Sequence, residues 1–364
     1  RERASEGRAH PHLDRPGMLA VALVTTSLSF LRLPGGKTTV ALYTSDVCVG
    51  HNPGPGHPEK PQRLRALLKA LRTEWVHEFG DNLRVCEPKK DATENELLRV
   101  HTRAHLNRVK AACANSLLLR RAKVGTDSDT IASPGTKAAA VRAAGLVISA
   151  VDDVLQNRPG EVKVANRPRR AFVMARPPGH HAESDKPTGF CLYNNVLVGV
   201  AHAQAVHGAN RVAILDFDVH HGNGDAEIVW SQPTRLYASS HESPLYPYTG
   251  EEKGRDGPHK NVISAPLPAA AGSRAFRRAW RDTLLPAVRA FRPEVIFLSS
   301  GFDAHKNDPL SSCQLTDDDF IWITAEIASI GGGRLPIISV LEGGYNVDQL
   351  TKSVRCHVQA LIGS

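Results

Sequence analysis

The sequence has few cysteines, and none of them are paired in a motif. Its 364 residues contain six cysteines, which are scattered along the chain and never form a Cys-x-x-Cys pair. A disulfide framework and a thiolate zinc site both need cysteines at short, regular spacing, so this distribution argues against both. It favours a reducing intracellular compartment, where free thiols persist.

The sequence also has no apolar run long enough to cross a membrane as a helix. The one candidate, residues 18–31 (MLAVALVTTSLSFL), is too short, because a spanning helix needs about 20 apolar residues. Arg15 precedes this run and Arg32 follows it, as in the apolar part of a signal peptide or an organelle-targeting segment. We therefore expect residues 1–37 to form an N-terminal extension that is a targeting segment or a disordered one.

Basic residues exceed acidic ones, but no nucleic-acid-binding motif accompanies the excess. The chain has 45 Lys and Arg against 37 Asp and Glu, a formal charge of +8. Such a balance can attract acidic partners, yet without a motif it does not predict direct recognition of DNA or RNA. The chain also has no internal repeat and no linker long enough to divide it, which predicts one domain over residues 38–364.

Strand-like and helix-like segments alternate along this domain. The strands are short, apolar and rich in β-branched residues, as is typical of strands that are covered on both faces. They are predicted at residues 39–43, 171–175, 212–217, 235–239, 294–299 and 336–341. Helices are predicted at residues 61–71, 137–154, 195–206 and 275–291. This order predicts an α/β fold with a mostly parallel central sheet.

Polar side chains collect directly after four of these strands, at the sheet edge where parallel α/β proteins bind ligands. His180 and His181 follow the strand at 171–175, behind a Pro-Pro-Gly turn. A single histidine is usually structural, but an adjacent pair in such a loop is a candidate for proton handling. The segment alone leaves both readings open.

Asp216, Asp218 and His220 alternate at the end of the strand at 212–217. A strand would project all three on one face. They could cap a turn, but two carboxylates near a sheet centre are costly without a counter-charge, so the pattern favours a divalent metal. Asp303 follows the strand at 294–299 and would alone be a helix cap. Beside this group it becomes a third ligand, which leaves a coordination position on Zn²⁺ for water and substrate.

The last polar group is Leu-Glu-Gly-Gly-Tyr-Asn at residues 341–346. Its glycines allow a tight turn, which would bring the Tyr345 hydroxyl to the same edge. A tyrosine in a loop usually packs, but here it could donate to a substrate carbonyl that becomes an oxyanion. The four groups together suit amide hydrolysis by a metal-activated water, with a neutral histidine as the base and a histidine that returns the proton to the leaving amine.

In this order the motifs resemble those of the histone deacetylase family. The resemblance runs from about residue 43 to residue 361. Its motifs are GHPE (56–59), DT (129–130), SPGT (133–136), PPGHHAE (177–183), GFC (189–191), DFDVHHGNG (216–224), GFDAH (301–305), DP (308–309) and LEGGYN (341–346). The His-Pro-Glu segment and the Asn of HHGNG are similar to the class II branch and its bacterial and plant relatives.

The resemblance implies the three-layer α/β/α arginase/deacetylase fold and zinc-dependent removal of acetyl groups from lysine side chains of histones or other proteins. The implied zinc ligands are Asp218, His220 and Asp303. The implied catalytic residues are His180, His181, Tyr345, Asp216 and Asn223. The implied walls of the substrate channel are Gly189, Phe190, Tyr246 and Leu310. The implied neighbours of a structural potassium ion are Asp216, Asp218, His220, Ser239 and Ser240.

Within this implied set, His181 is the general base, Asp216 supports His180 and Asn223 supports His181, because such partners set tautomer and basicity. Family branches with histidine in place of Tyr345 are poor deacetylases, so Tyr345 implies a competent one. Relatives that hydrolyse acetylated polyamines have glutamate in place of Leu310, so leucine favours a lysine substrate.

One departure from the family pattern concerns the rim of the site, and two matters of function and location stay open. Ala270 stands where the family usually has glycine, so the rim loop must adjust if Ala270 has a positive φ. A nuclear or cytoplasmic location fits the family, while a plastid or mitochondrion fits the plant-like features and the extension. The chain could instead hydrolyse acetylpolyamines or other small amides, or bind acyl-lysine without hydrolysing it. Turnover with and without a chelator separates an enzyme from such a scaffold.

Overall fold

A computed structural model of the chain describes residues 38–125, 127–155 and 168–364. The extension predicted at residues 1–37 lies outside the described residues. The described residues belong to one compact unit. The boundary predicted between residues 37 and 38 stays a prediction.

Nine of the described strands form one sheet, in the order β2-β1-β5-β11-β10-β6-β7-β9-β8. All neighbouring strands are parallel except β8 and β9. The strands are β1 (Val40–Thr44), β2 (Leu83–Cys86), β3 (Ala122–Lys123), β4 (Ile131–Ala132), β5 (Arg170–Met174), β6 (Val212–Asp216), β7 (Arg235–Glu242), β8 (Gly254–Asp256), β9 (Val262–Leu267), β10 (Val295–Ser300) and β11 (Ile337–Leu341). β3 and β4 form a separate antiparallel pair. The mostly parallel sheet predicted from the apolar runs is confirmed.

Helices cover both faces of the sheet. They are α1 (Gln62–Ala70), α2 (Val76–Phe79), α3 (Glu94–Leu97), α4 (Arg103–Leu119), α5 (Thr136–Leu155), α6 (Asn195–His207), α7 (Asn223–Val229), α8 (Ser273–Ala279), α9 (Leu285–Phe291), α10 (Asp317–Ala328) and α11 (Val347–Gly363). On β11, the Ser339 hydroxyl bonds to His357 of α11. The neighbouring Ile338 is in register with Phe297, whose ring lies against Gly199 of α6. Because successive strand residues point to opposite faces, α6 and α11 lie on opposite sides, which confirms the three-layer α/β/α fold.

Most predicted segments are confirmed to within one or two residues, and two differ for physical reasons. The helix predicted at 275–291 is divided into α8, a π-helical turn (Trp280–Leu284) and α9. Pro286, at the start of α9, has no N–H for a helical hydrogen bond, and the wider turn comes directly before it. β7 runs three residues beyond its predicted end at residue 239, because β9 pairs with it through Glu242.

Four strands that are far apart in the chain become neighbours in the sheet centre: β5, β11, β10 and β6. Each one is followed by one of the four polar groups identified in the sequence. The parallel arrangement therefore brings all four groups to one edge, as predicted for ligand sites in open α/β sheets.

Candidate metal-dependent active site

Asp218, His220 and Asp303 converge at the ends of β6 and β10. Nδ1 of His220 lies 3.1 Å from Oδ1 of Asp218 and 3.1 Å from Oδ2 of Asp303. All three side chains are buried, and their ligand atoms lie within 4.8 Å of one another. The structure thus brings together the three predicted metal ligands.

The donor set fits a divalent metal ion. Burial by itself would lower the pKa of His220, but hydrogen bonds to Asp218 and Asp303 raise it to about 10. Burial, together with Asp218, raises the pKa of Asp303. A cation between the two carboxylates would relieve this repulsion and replace the proton on the imidazole. Two carboxylate oxygens and one imidazole nitrogen are common zinc ligands.

Two glycines leave the space in which these carboxylates lie. A Cβ atom on Gly301 would collide with Oδ2 of Asp218, and one on Gly343 would collide with Oδ2 of Asp303. The amide N of Gly343 also donates to Oδ2 of Asp218 at 2.8 Å. The loops after β10 and β11 therefore pack their backbones directly against the predicted metal ligands.

His180 is held by a carboxylate. Its Nδ1 donates to Oδ2 of Asp216 at 3.1 Å, and the Tyr237 hydroxyl donates to the same oxygen at 2.9 Å. Burial by itself would lower the pKa of His180, but Asp218 and Asp216 raise it well above the ordinary value. Both carboxylates therefore favour the protonated form of this imidazole. Tyr237 is a supporting residue that was not predicted from the sequence.

His181 is held by a neutral amide. Its Nδ1 donates to Oδ1 of Asn223 at 2.8 Å, and Nδ2 of Asn223 donates to Oε1 of Glu183 at 2.6 Å. Because Glu183 accepts from the amide nitrogen, the amide oxygen must face the imidazole. Burial, and then His180 and His220, lower the pKa of His181 well below the ordinary value. Its Nε2 is therefore unprotonated, as a base requires.

The loop that carries Tyr345 is fixed on both sides. Oδ2 of Asp308 accepts from the Tyr345 amide N at 2.6 Å. Arg63 donates to the carbonyl of Gly344 at 2.6 Å and to that of Glu342 at 2.5 Å, and its guanidinium lies 4.9 Å from the Tyr345 ring. Burial raises the pKa of Tyr345, although Arg63 opposes this effect, so the hydroxyl stays a neutral donor.

Glu59, from the His-Pro-Glu motif, joins this loop to the histidine loop. It accepts from Nη1 of Arg63 at 3.1 Å and from Nε and Nη2 of Arg176 at 2.5 and 2.6 Å. Arg176 directly precedes the Pro-Pro-Gly turn of the histidines. All three side chains are fully buried. The motif is part of the family resemblance, but no role for Glu59 was predicted from it.

Most of the chain matches a known protein family. The family model for the histone deacetylase domain matches residues 57–361. The chain belongs to the histone deacetylase family.

Relatives and a solved structure agree with this membership. Histone deacetylase 10, chloroplastic, of Oryza sativa subsp. japonica is 33% identical over 330 residues, 88% of this chain and 73% of that protein. The histone deacetylase-like amidohydrolase of Pseudomonas aeruginosa is 34% identical over 331 residues, 84% of this chain and 81% of that protein. The crystal structure of the HDA15 HD domain has a TM-score of 0.78 and 32% identity, and the match covers 89% of this chain and 91% of that one. The chain is therefore a hydrolase of a family that generally depends on metal ions.

In this family member, three of the predicted channel residues lie beside His181 or Tyr345. The Tyr246 ring lies 5.1 Å from the His181 ring and the Phe190 ring lies 5.9 Å from the Tyr345 ring, measured between centroids. Gly189 has a φ of 59°, and a Cβ there would collide with His181. Their role as channel walls stays a prediction.

Asp127 forms hydrogen bonds to residues of this predicted channel wall, and it was not predicted from the sequence. Its Oδ2 accepts from the Gly189 amide N at 2.8 Å and from the Thr188 hydroxyl at 3.0 Å. The Thr188 hydroxyl also lies 2.8 Å from the Tyr246 hydroxyl. One carboxylate therefore supports both sides of the predicted channel.

Leu310 and Ala270 lie in the loops that follow β10 and β9 of the deacetylase fold. Leu310 is partly exposed, and its amide N donates to Oδ1 of Asp308, the carboxylate that also holds Tyr345. Ala270 has a φ of 59°, and its amide N donates to the Ser312 hydroxyl at 2.7 Å. The adjustment expected for a non-glycine residue there is therefore a left-handed alanine held by Ser312.

Of the predicted potassium neighbours, Asp216 lies on β6 and is in register with Ser239 on β7, next to Ser240. Asp218 and His220 follow the end of β6. The Ser239 hydroxyl bonds to Nδ1 of His241 at 2.9 Å, and the Ser240 hydroxyl accepts from Nε1 of Trp280 at 2.9 Å. Both hydroxyls therefore have protein partners. The potassium site stays a prediction.

Proposed function

We propose that the chain is a zinc-dependent protein lysine deacetylase, which hydrolyses the amide of N6-acetyl-lysine. The observation that carries this proposal is the meeting of three elements at one sheet edge. They are the Asp218, His220 and Asp303 ligand set, an unprotonated His181, and Tyr345 on a loop that contacts the ligand set through Gly343.

In this mechanism, zinc held by the three ligands would polarise the acyl carbonyl and lower the pKa of a water molecule. His181 Nε2 takes a proton from the attacking water as its oxygen bonds to the acyl carbon, because Asn223 keeps the other proton on Nδ1. The Tyr345 hydroxyl donates to the carbonyl oxygen as negative charge develops there. His181 then returns its proton to the lysine nitrogen as the carbon–nitrogen bond breaks. Burial, and then the neighbouring His180 and His220, keep the pKa of His181 low.

The substrate is proposed from the walls of the site. Phe190 and Tyr246 offer aromatic faces to the apolar stem of an acyl-lysine. Leu310, partly exposed in the rim loop, offers no charge to a second amine. Small-amide hydrolysis is the second candidate, because the Pseudomonas aeruginosa relative is named an amidohydrolase.

The test is hydrolysis of a fluorogenic acetyl-lysine peptide and of N8-acetylspermidine, with and without a zinc chelator. We expect peptide turnover that chelation abolishes and added Zn²⁺ restores. Tyr345→Phe should lower kcat by about 10²–10³-fold, the loss typical of one oxyanion donor. Tyr248→Phe, at a tyrosine that is 70% exposed, is the matched control and should leave kcat unchanged.

Turnover of the polyamine alone would overturn the lysine assignment in favour of the second candidate. Peptide turnover that survives both the chelator and Tyr345→Phe would overturn the mechanism. A zinc-loaded chain that hydrolyses neither substrate would support the binding scaffold instead.

A further inference from the structure

A second group of metal-ligating side chains lies outside the active site. Nε2 of His202 lies 2.8 Å from Oδ1 of Asp152, and Nε2 of His207 lies 2.9 Å from the same oxygen. The three ligand atoms lie within 4.8 Å of one another. Both imidazoles are nearly buried, while the Asp152 side chain is 23% exposed, so solvent reaches the group from the carboxylate side.

This group lies far from the catalytic edge. α6 begins beside the histidine loop, where Nδ2 of Asn195 donates to the Pro177 carbonyl at 3.0 Å. His202 and His207 lie in the last turns of the same helix, which is about 20 Å long at 1.5 Å per residue. The chain then enters β6 at its N-terminal end. The group is therefore at the opposite edge of the sheet, independent of the hydrolytic site.

The donor set matches that of a metal site. Two imidazole nitrogens and one carboxylate oxygen lie close together. Sites that bind divalent transition metals typically have these donors and leave further coordination positions open. The spacing is also close to the 3.1 Å between the predicted ligands of the active site. Burial by itself would raise the pKa of Asp152, but hydrogen bonds from His202 and His207 lower it overall, so the carboxylate is ionised.

We propose that Asp152, His202 and His207 form a second site for a divalent transition-metal ion of the Zn²⁺ class. The ion would bind Nε2 of both histidines and the Asp152 carboxylate, with water at the exposed side. It would tie the C-terminal end of α5 to that of α6, a structural role that leaves the chemistry at the other edge unchanged.

One neighbouring side chain, Arg99, opposes metal binding at this group. Nη1 of Arg99 donates to Nδ1 of His202 at 3.2 Å. Coordination through Nε2 places the remaining proton on Nδ1, where it would face this donor. Glu96 Oε1, 3.9 Å from the same nitrogen, is the acceptor that could take its place. Arg99→Gln removes the opposing donor and supplies an amide oxygen, so it should tighten zinc binding by about tenfold, within the range of effects on groups that orient a ligand.

The test uses Zn²⁺ and the full chain, with zinc counted per chain after dialysis against a zinc buffer. We expect two ions in the wild type and one each in Asp303→Asn, Asp152→Asn and His207→Gln. In the Asp303→Asn background, zinc should raise the unfolding temperature by a few degrees through mass action. The added change His207→Gln should abolish that rise, and Arg99→Gln should shift it to lower zinc concentrations.

The proposal is wrong if the wild type binds one ion and Asp303→Asn binds none. It is also wrong if the rise in unfolding temperature persists in the Asp303→Asn, His207→Gln chain. Because the readouts are zinc content and stability, failure of the deacetylase proposal would not affect this result. Asp152→Asn provides an independent test if His207→Gln does not fold.

Discussion

At the scale of single residues, the two adjacent histidines of the candidate site show how the surroundings set the pKa of a side chain. His180 and His181 are adjacent in the chain, and their ring centroids are 4.0 Å apart. Burial by itself would lower the pKa of His180, but Asp218 and Asp216 raise it. Burial, and then His180 and His220, lower the pKa of His181, and the hydrogen bond to Asn223 opposes this effect only in part. Two identical side chains thereby obtain different protonation states.

Asn223→Asp should raise the pKa of His181, because a carboxylate favours the charged imidazole. A base works only when unprotonated, so the acid limb of the pH profile of kcat/KM should move to higher pH, by about one unit. The measurement is peptide hydrolysis between about pH 5 and pH 9, the range in which histidine titrates. Asn223→Ala is the control and should lower kcat without this upward movement. An unmoved limb in Asn223→Asp would exclude His181 as the base.

At the scale of elements, the loops after β10 and β11 shape the predicted metal site through their backbones. Gly301 and Gly343 have no positive φ that would require glycine, unlike Gly189 and Gly344. Glycine is needed at positions 301 and 343 for a steric reason, because a Cβ at either position would enter the space of a carboxylate predicted to bind the metal. Strand ends and tight loops therefore position the predicted metal ligands together.

Gly301→Ala and Gly343→Ala should each displace a ligand carboxylate and reduce both zinc content and kcat/KM, by about 10²-fold or more for kcat/KM. The measurements are zinc per chain and peptide hydrolysis, with circular dichroism to show that the fold is kept. Gly363→Ala, in α11 with no atom within 4 Å of the new Cβ, is the matched control. Wild-type zinc content and activity in both active-site variants would contradict the close packing of these loops against the carboxylates.

At the scale of the whole molecule, a buried ion-pair network joins segments from three parts of the chain. Glu59 accepts from Arg63 and from Arg176, which is 117 residues away, and Arg63 donates to Gly344, 281 residues further along the chain. Burial by itself would raise the pKa of Glu59, but Arg176 and His51 lower it well below the ordinary value. This carboxylate therefore stabilises the folded chain in its ionised form.

Glu59→Gln should lower the free energy of unfolding at neutral pH by about 3 kcal/mol, because two buried guanidinium groups lose their counter-charge. The lowered pKa means that the stabilisation is present above the ordinary carboxylate pKa of about 4.3 and is lost as the pH falls through the folded value. The difference from the wild type should therefore narrow below about pH 4. Urea unfolding at neutral pH and below about pH 4 measures this difference in the free energy of unfolding.

Asp46→Asn is the control for this network, since it breaks the exposed pair with Arg72. Exposed pairs contribute little, so its stability should match that of the wild type at both pH values. Equal stability of Glu59→Gln and wild type at neutral pH would show that the network is not stabilising.

No helix among the described residues meets the length and apolar character needed to cross a bilayer. The predicted compartments, and the role of residues 1–37, stay predictions. The relative from Oryza sativa carries the word chloroplastic in its name.

Local patterns in the chain were sufficient to locate the central strands and the groups that follow them. Apolar runs such as residues 212–217 identify a buried strand locally, and the polar residues after them, Asp218 and His220 among them, stand out for the same reason. Two elements with weaker local patterns, β2 and α11, were not predicted from the sequence. β2 lies at the sheet edge with two exposed residues, and α11 mixes polar and apolar residues.

Which distant residues meet depends on the tertiary fold. Strand order places β5, β11, β10 and β6 side by side, and no local pattern encodes that order. Glu59 with Arg176, and Asp152 with His202, are separated by 117 and 50 residues. Periodicity reports on neighbours within a few positions, whereas such contacts depend on how the elements pack. The residues predicted as metal ligands could therefore be identified from the sequence alone. The residues that support them, and the group of Asp152, His202 and His207, could be found only in the tertiary structure.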